Sequence, residues 1–351
     1  MKKVIIAEIV VLLALLIAAG CMLGALLDGG AAPAISTEPV IDPTAEATTE
    51  ATTQTTEPEP TWMTLPPSRQ LTAKQYFVYD VDADTFLTIS GDENERIYPA
   101  SVTKLFTCYV ALQFLQPDQL ITVGDELDMV AAGSSVAELR KGDKLTVSQL
   151  VEAMLLPSGN DAAHVLAANA GRSIKGNSDA TAQDYVAAFM EEMNRQTKEV
   201  GMTGANFANP DGIHRSNHYM TFRDLAVLGK LSVENSTIMK NALISNDIVD
   251  FQDRGEHKQT TEVYGGSTTE ELSPTSVKWK NTNALIDPVS QYYCPYATGL
   301  KTGQTPSAGS CLLSSFAYMD KQYIIGVFGC PDVDARFEDT LQLFNQTVGI
   351  S

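Results

Sequence analysis

Ser101 and Lys104 stand three residues apart in "PASVTKLFT", at the head of an otherwise apolar run. On a helix, positions i and i+3 share a face, so the hydroxyl and the amine come within hydrogen-bonding reach. A neutral amine there can take the serine proton and make a nucleophile, provided burial or a neighbouring cation lowers its pKa. Alone, the pair reads equally as an N-cap serine followed by a lysine whose stem snorkels to solvent. Ser158-Gly159-Asn160 falls at a break between two helices, where a turn presents a hydroxyl and an amide side chain together; alone it is a turn of common turn residues. Lys301-Thr302-Gly303 lies in a predicted strand; alone it is a polar strand end, with Gly303 marking a bulge or the close approach of another backbone. Each pattern occurs once, in the order helix start, inter-helix loop, strand.

The elements that must hold these groups follow from periodicity. "QYFVYDVDADTFLTIS" alternates around Asp82-Ala83-Asp84 as a β-hairpin does. A long helical middle follows: "SVTKLFTCYVALQFL", two helices broken at Pro157-Ser158-Gly159, an amphipathic helix stopped by Gly201, and another that starts at a capping Thr221. After about residue 278 the pattern returns to strands, "ATGLKTGQ", "GSCLLSSFAYM" and "QYIIGVFGC", and "DARFEDTLQLFNQTV" closes the chain as a helix. Strands at both ends with helices between them predict an α+β fold, an antiparallel sheet built from both ends of the domain and packed against a helical subdomain.

Composition bounds the setting. The chain has 351 residues, 44% hydrophobic, with a formal charge of −19. That surplus of carboxylates argues against nucleic acid and against adhesion to anionic lipid, both of which need clustered Lys and Arg. After Lys2 and Lys3 an apolar run extends from Ile9 to Leu27, long enough to cross a bilayer, so residues 1–27 are expected to be a signal or membrane anchor that exports the rest. Cleavage near Ala32 or Ala34, or lipidation at Cys21, are the alternatives. Residues 28–71, rich in Thr, Pro and Glu, are expected to form an extended spacer, and residues 72–351 the folded domain. Cys108 and Cys311 lie in apolar runs and are expected as buried free thiols; the sequence leaves pairing of Cys294 with Cys330 open.

Together the three patterns resemble the penicillin-recognising serine peptidases, with their S-x-x-K, S-x-N and K-T-G motifs. More narrowly, "LRKGDKLTVSQLVEAMLLPSGNDAAHVLA", "MNRQTKEVGMTGANFANPDGIH", "YMTFRDLAVLGKL" and "GLKTGQTPSAGSCLLSS" are similar to the low-molecular-weight D-alanyl-D-alanine carboxypeptidases, over about Ala73 to Asn345. The resemblance implies a β-lactamase/transpeptidase-like fold and an extracytoplasmic serine carboxypeptidase. Such an enzyme removes the terminal D-alanine from peptidoglycan stem peptides through an acyl-enzyme, is acylated by β-lactam antibiotics, and needs no metal or other cofactor. It implies Ser101 as nucleophile, Lys104 as base, Ser158 as proton relay and Asn160 as a holder of the substrate amide. Lys301 and Thr302 would face the substrate carboxylate, Gly303 would let the substrate lie along the strand, and the Ser101 and Gln304 amides would form an oxyanion hole. Gln304 departs from the aromatic residue or histidine that many relatives carry there. The chain ends soon after Cys330, so no additional C-terminal β-domain is expected, and the N-terminal segment is expected to supply the anchoring.

His214 and His218 in "HRSNH" could suggest a zinc pair, but no third ligand follows at motif spacing. A β-lactamase shares the motifs but needs fast deacylation, and "FANPDGIHRSN" fits the carboxypeptidase pattern. An endopeptidase cutting cross-bridges and a non-catalytic wall-binding module remain as rivals.

Overall fold

A computed structural model describes residues 69–350 apart from residue 177 and segments 255–258, 261–269 and 272–274. Strands β1 (Gln75–Asp80) and β2 (Thr85–Ile89) form the expected hairpin. A 3-10 turn, Ala100–Val102, runs directly into α1 (Thr103–Ala111). Short strands β3 (Leu120–Thr122) and β4 (Lys144–Thr146) pair with each other ahead of α2 (Val147–Leu155), α3 (Asn160–Ile174) and α4 (Ala182–Glu199). Helices α5 (Phe222–Glu234) and α6 (Ser236–Ala242) complete the helical part. The chain then forms β5 (Asn246–Asp250), the two-residue strands β6 (Gln259–Thr260) and β7 (Glu270–Glu271), and β8 (Ser276–Lys280). Strands β9 (Ala297–Thr305), β10 (Gly309–Tyr318) and β11 (Lys321–Cys330) precede the final helix α7 (Val333–Val348).

The main sheet has the order β2-β1-β11-β10-β9, with every neighbouring pair antiparallel, so the first and last strands of the domain meet at β1 and β11. This is the expected α+β architecture. Side chains alternate across the strands. Phe77, Cys311, Leu313 and Ile324 turn to the helices, while Val78, Leu312, Ile325 and Val327 turn to the core beneath α7. On that second face Phe316 stacks on Phe344 at 4.4 Å. Three helices start on capping boxes, Thr146 with Gln149, Thr221 with Asp224 and Thr181 with Asp184, which satisfy N-terminal amides that no carbonyl can reach.

Three features differ from the sequence expectation. The helix expected from Ser101 begins one turn tighter, so the serine sits on a 3-10 turn at its head. The β5/β8 hairpin was not foreseen, because "NDIVD" and "SVKWK" are short and mostly polar. Arg69, assigned to the spacer, bonds Asp339 at 2.6 Å and Glu338 at 2.7 Å on α7, and the amides of Thr72 and Ala73 also donate to Asp339. Cys108, Cys294, Cys311 and Cys330 are all buried and unpaired. Among the described residues no helix is long and apolar enough to cross a membrane, and the expected anchor lies outside them.

Candidate active site

The turn that carries Ser101 is held against two glycines. A Cβ at Gly212, whose φ is +86°, would overlap the Ala100 carbonyl, and one at Gly303 would lie 2.9 Å from the Pro99 carbonyl oxygen and 3.1 Å from the Ser101 nitrogen. Gly303 therefore lets β9 pack onto the serine turn, a more immediate reason for glycine than room for a substrate. Ala100 itself is left-handed, with φ of 49°. Such a conformation costs an alanine about 1 kcal/mol or more and persists only where packing enforces it.

One turn on, Lys104 is fully buried. Its Nζ lies 2.8 Å from Ser101 Oγ, 2.7 Å from Asn160 Oδ1 and 2.7 Å from the Asp211 carbonyl oxygen. Burial pulls its pKa down to about 8, against the opposing pull of the Asp211 and Asp161 carboxylates. The amide and carbonyl oxygens only accept hydrogen bonds. A neutral amine gives its two protons to them, and its lone pair is left facing the Ser101 hydroxyl.

Asn160 opens α3, and the loop before it is fixed from several sides. The Asp161 carboxylate accepts from the amides of Ala137, Leu139 and Ala162, and the Asn160 amide donates to the Ser135 carbonyl. Gly159 has no space for a side chain between Asp161, Ala153 and Ala137. Ser158 is left-handed, with φ of 64°, and buried. Its hydroxyl has no hydrogen-bonding partner among the described residues, so Lys104 is joined to Ser101 and Asn160 but not to Ser158.

Across the site runs β9, an edge strand. Lys301 pairs with Leu313 in register and so faces the helices. It is fully buried, and burial, with smaller pushes from Lys104 and Arg336, holds its pKa well below the ordinary lysine value. Its Nζ donates to the Thr302 carbonyl at 3.2 Å. The Thr302 hydroxyl shares a 2.6 Å hydrogen bond with that of Thr282, and the Thr282 amide donates to the Leu156 carbonyl at 3.1 Å. Gln304 is exposed at the open end of the strand.

Several participants carry no motif. Asp211 anchors Lys104 through its main chain, while its carboxylate lies 3.4 Å from His164 Nε2. His218 accepts from the Ala208 amide through Nδ1, so Nε2 carries the proton and donates to Thr103 at 2.8 Å; burial pushes its pKa down to about 4. His214 instead sits edge-on to Tyr98. Arg336 on α7 is buried, with an Nε that has no hydrogen-bonding partner among the described residues. Only "NPDGIH", with its turn-forming Asp-Gly, carried a local signal for Asp211.

A serine hydroxyl facing a dry amine, beside a buried second lysine on a strand edge, is an arrangement capable of serine acyl transfer, here on an α+β scaffold. The description of the D-alanyl-D-alanine carboxypeptidase family matches residues 59–331, and the chain belongs to that family. It is 31% identical over 251 residues to a D-alanyl-D-alanine carboxypeptidase of Streptomyces sp. strain K15, covering 70% of this chain and 77% of that protein. It is 29% identical over 266 residues to Escherichia coli DacC, covering 72% of this chain but only 56% of the relative. The crystal structure of the Streptomyces K15 DD-transpeptidase superposes with a TM-score of 0.66 at 28% identity, over 80% of this chain and 99% of that one.

Proposed function

We propose that this protein is a serine D-Ala-D-Ala carboxypeptidase acting on peptidoglycan stem peptides. The observation that carries the reading is the Lys104 amine 2.8 Å from Ser101 Oγ, its other two contacts being obligate acceptors. Ser101 Oγ attacks the carbonyl carbon of the penultimate D-alanine as its proton passes to Lys104. The amides of Ser101 and Gln304 hold the resulting oxyanion, each such donor being worth around 3 kcal/mol in other enzymes. The C–N bond breaks, and the terminal D-alanine leaves with a proton from Lys104; Ser158, whose hydroxyl is not joined to Lys104 in this structure, relays that proton once it turns toward Nζ in the substrate complex. Water then attacks the ester carbonyl and gives a proton to Lys104; the acyl C–O bond breaks, the shortened peptide leaves with a new carboxyl group, and Lys104 returns the proton to Ser101 Oγ.

Lys301 and Thr302 take the substrate's terminal carboxylate, and Asn160 holds its amide. A carboxylate arriving beside buried Lys301 restores the charge partner that the amine lacks, so recognition of a chain end stabilises the ammonium form. A β-lactam is attacked in the same way, but its leaving amine stays tethered, which obstructs water and leaves a long-lived ester. The domain works outside the cytoplasm, held to the membrane by residues 1–27 through the spacer that precedes Arg69. That the Streptomyces relative is named both carboxypeptidase and DD-transpeptidase favours a second outcome for the same ester, capture by an amine. Release of D-alanine from diacetyl-L-Lys-D-Ala-D-Ala tests the reading. Wild type should release it and Ser101→Ala should not; a folded wild type that neither releases it nor reacts with penicillin would sink it.

A further inference from the structure

The segments that meet at the nucleophile part again on its far side and enclose a cleft of about 540 Å³, the size of a small-molecule site. One wall is Arg96 to Tyr98, immediately before the Ser101 turn, and the other is the Pro306–Gly309 turn that follows β9. Lys74 enters from β1's approach, its stem lying against Gly329. Arg96 is braced 4.0 Å over the ring of Tyr219. In a chain with 43 acidic and 24 basic residues this cleft is lined by two cations and no carboxylate, and among the described residues neither cation makes an ion pair.

We propose that this cleft is a subsite for a free carboxylate carried by the stem peptide upstream of D-Ala-D-Ala. The inference rests on the carboxypeptidase reading, through the direction in which the substrate must lie. Its terminal carboxylate is placed at Lys301 and Thr302 and its reacting carbonyl at the Gln304 amide, so it runs antiparallel to β9. The residues that precede D-Ala-D-Ala then pass Thr305 and reach the Pro306 turn, about 7 Å beyond Gln304 at a strand's rise per residue. There the cleft opens, with Arg96 on its near wall and Lys74 across it beside Gly329. Two stem residues can bring a carboxylate to this place, a γ-linked glutamate and a diamino acid with a second carboxyl group.

Three synthetic pentapeptides ending in D-Ala-D-Ala separate the cases: γ-D-glutamate with L-lysine, its α-amide with L-lysine, and that amide with diaminopimelate. For wild type, kcat/KM for at least one carboxylate-bearing peptide should exceed that for the fully amidated one by roughly two- to fivefold, the range of partly exposed ion pairs, and the preference should shrink in 0.5 M NaCl. In the Lys74→Gln, Arg96→Gln double variant that ratio should fall towards one. A ratio within one preparation cancels any general loss of activity. No preference in wild type, or a preference that survives the double variant, would overturn the subsite. Failure of wild type to release D-alanine from any of the three would instead overturn the carboxypeptidase reading.

Discussion

Burial strips the Lys104 ammonium of water and supplies only neutral oxygens and a serine hydroxyl in exchange. Its folded pKa of about 8 lies below the ordinary 10.5, so between these values the unfolded chain binds more protons. The contribution of this residue to stability therefore rises with pH across that window and should be absent in Lys104→Met, as paired thermal melts would register. The same ionisation makes the acylation rate by benzylpenicillin climb up to pH about 8 and then level off, measurable by stopped-flow. Thr282→Val removes the partner that orients the Thr302 hydroxyl and should raise KM for a D-Ala-D-Ala peptide about fivefold, one hydrogen bond's worth, with kcat nearly unchanged; Thr282→Ser should restore it. Ser101, Lys104 and Asn160 were legible in the sequence because side-chain identity sets their chemistry and short local spacing presents them. Asp211 and Thr282 were not, because one acts through a carbonyl any residue possesses and the other through a contact across 20 residues.

Helices and strands were read well where burial is one-sided or complete and poorly where it is slight. β10 and β11 announce themselves by apolar runs, whereas β5 is mostly exposed and earns its pairing from β8 and the loop beneath, where Trp279 donates to the Ala137 carbonyl. The close approaches that hold the serine turn also escaped periodicity, since they depend on the absence of side chains. Gly212→Ala, at positive φ and with a methyl driven into the Ala100 carbonyl, should destabilise the domain by about 2 kcal/mol or more and slow acylation, both readable in one denaturation and labelling series. Between α2 and β5, buried Glu152 has its pKa raised to about 7, chiefly by burial and then by Asp247. A carboxyl raised in the fold stabilises below its unfolded pKa and loses that contribution as pH rises through about 7. Glu152→Gln should accordingly match wild type in thermal stability at pH 4 and exceed it at pH 8.

At the scale of the molecule, the chain places a two-faced antiparallel sheet between α7 and a helical subdomain, and the candidate site lies along β9, where the sheet edge meets the helices. Arg69 already clasps α7, so the folded unit extends slightly beyond the boundary composition suggested; an ion pair reaching across 270 residues leaves no mark on composition. Deletion of residues 1–67 should leave a soluble domain with wild-type acylation kinetics, and an inactive folded truncation would show that the preceding segment does more than tether. Four buried thiols and no disulfide among them predict that reducing agent leaves the melting temperature unchanged. The central claim is that Ser101, activated by Lys104, forms the ester. Intact-mass analysis after exposure to benzylpenicillin, with the adduct mapped by proteolysis, tests it most directly. One adduct per chain on the peptide containing Ser101, absent in Ser101→Ala and Lys104→Met, is the predicted result; an adduct elsewhere, or undiminished labelling of either variant, would contradict it.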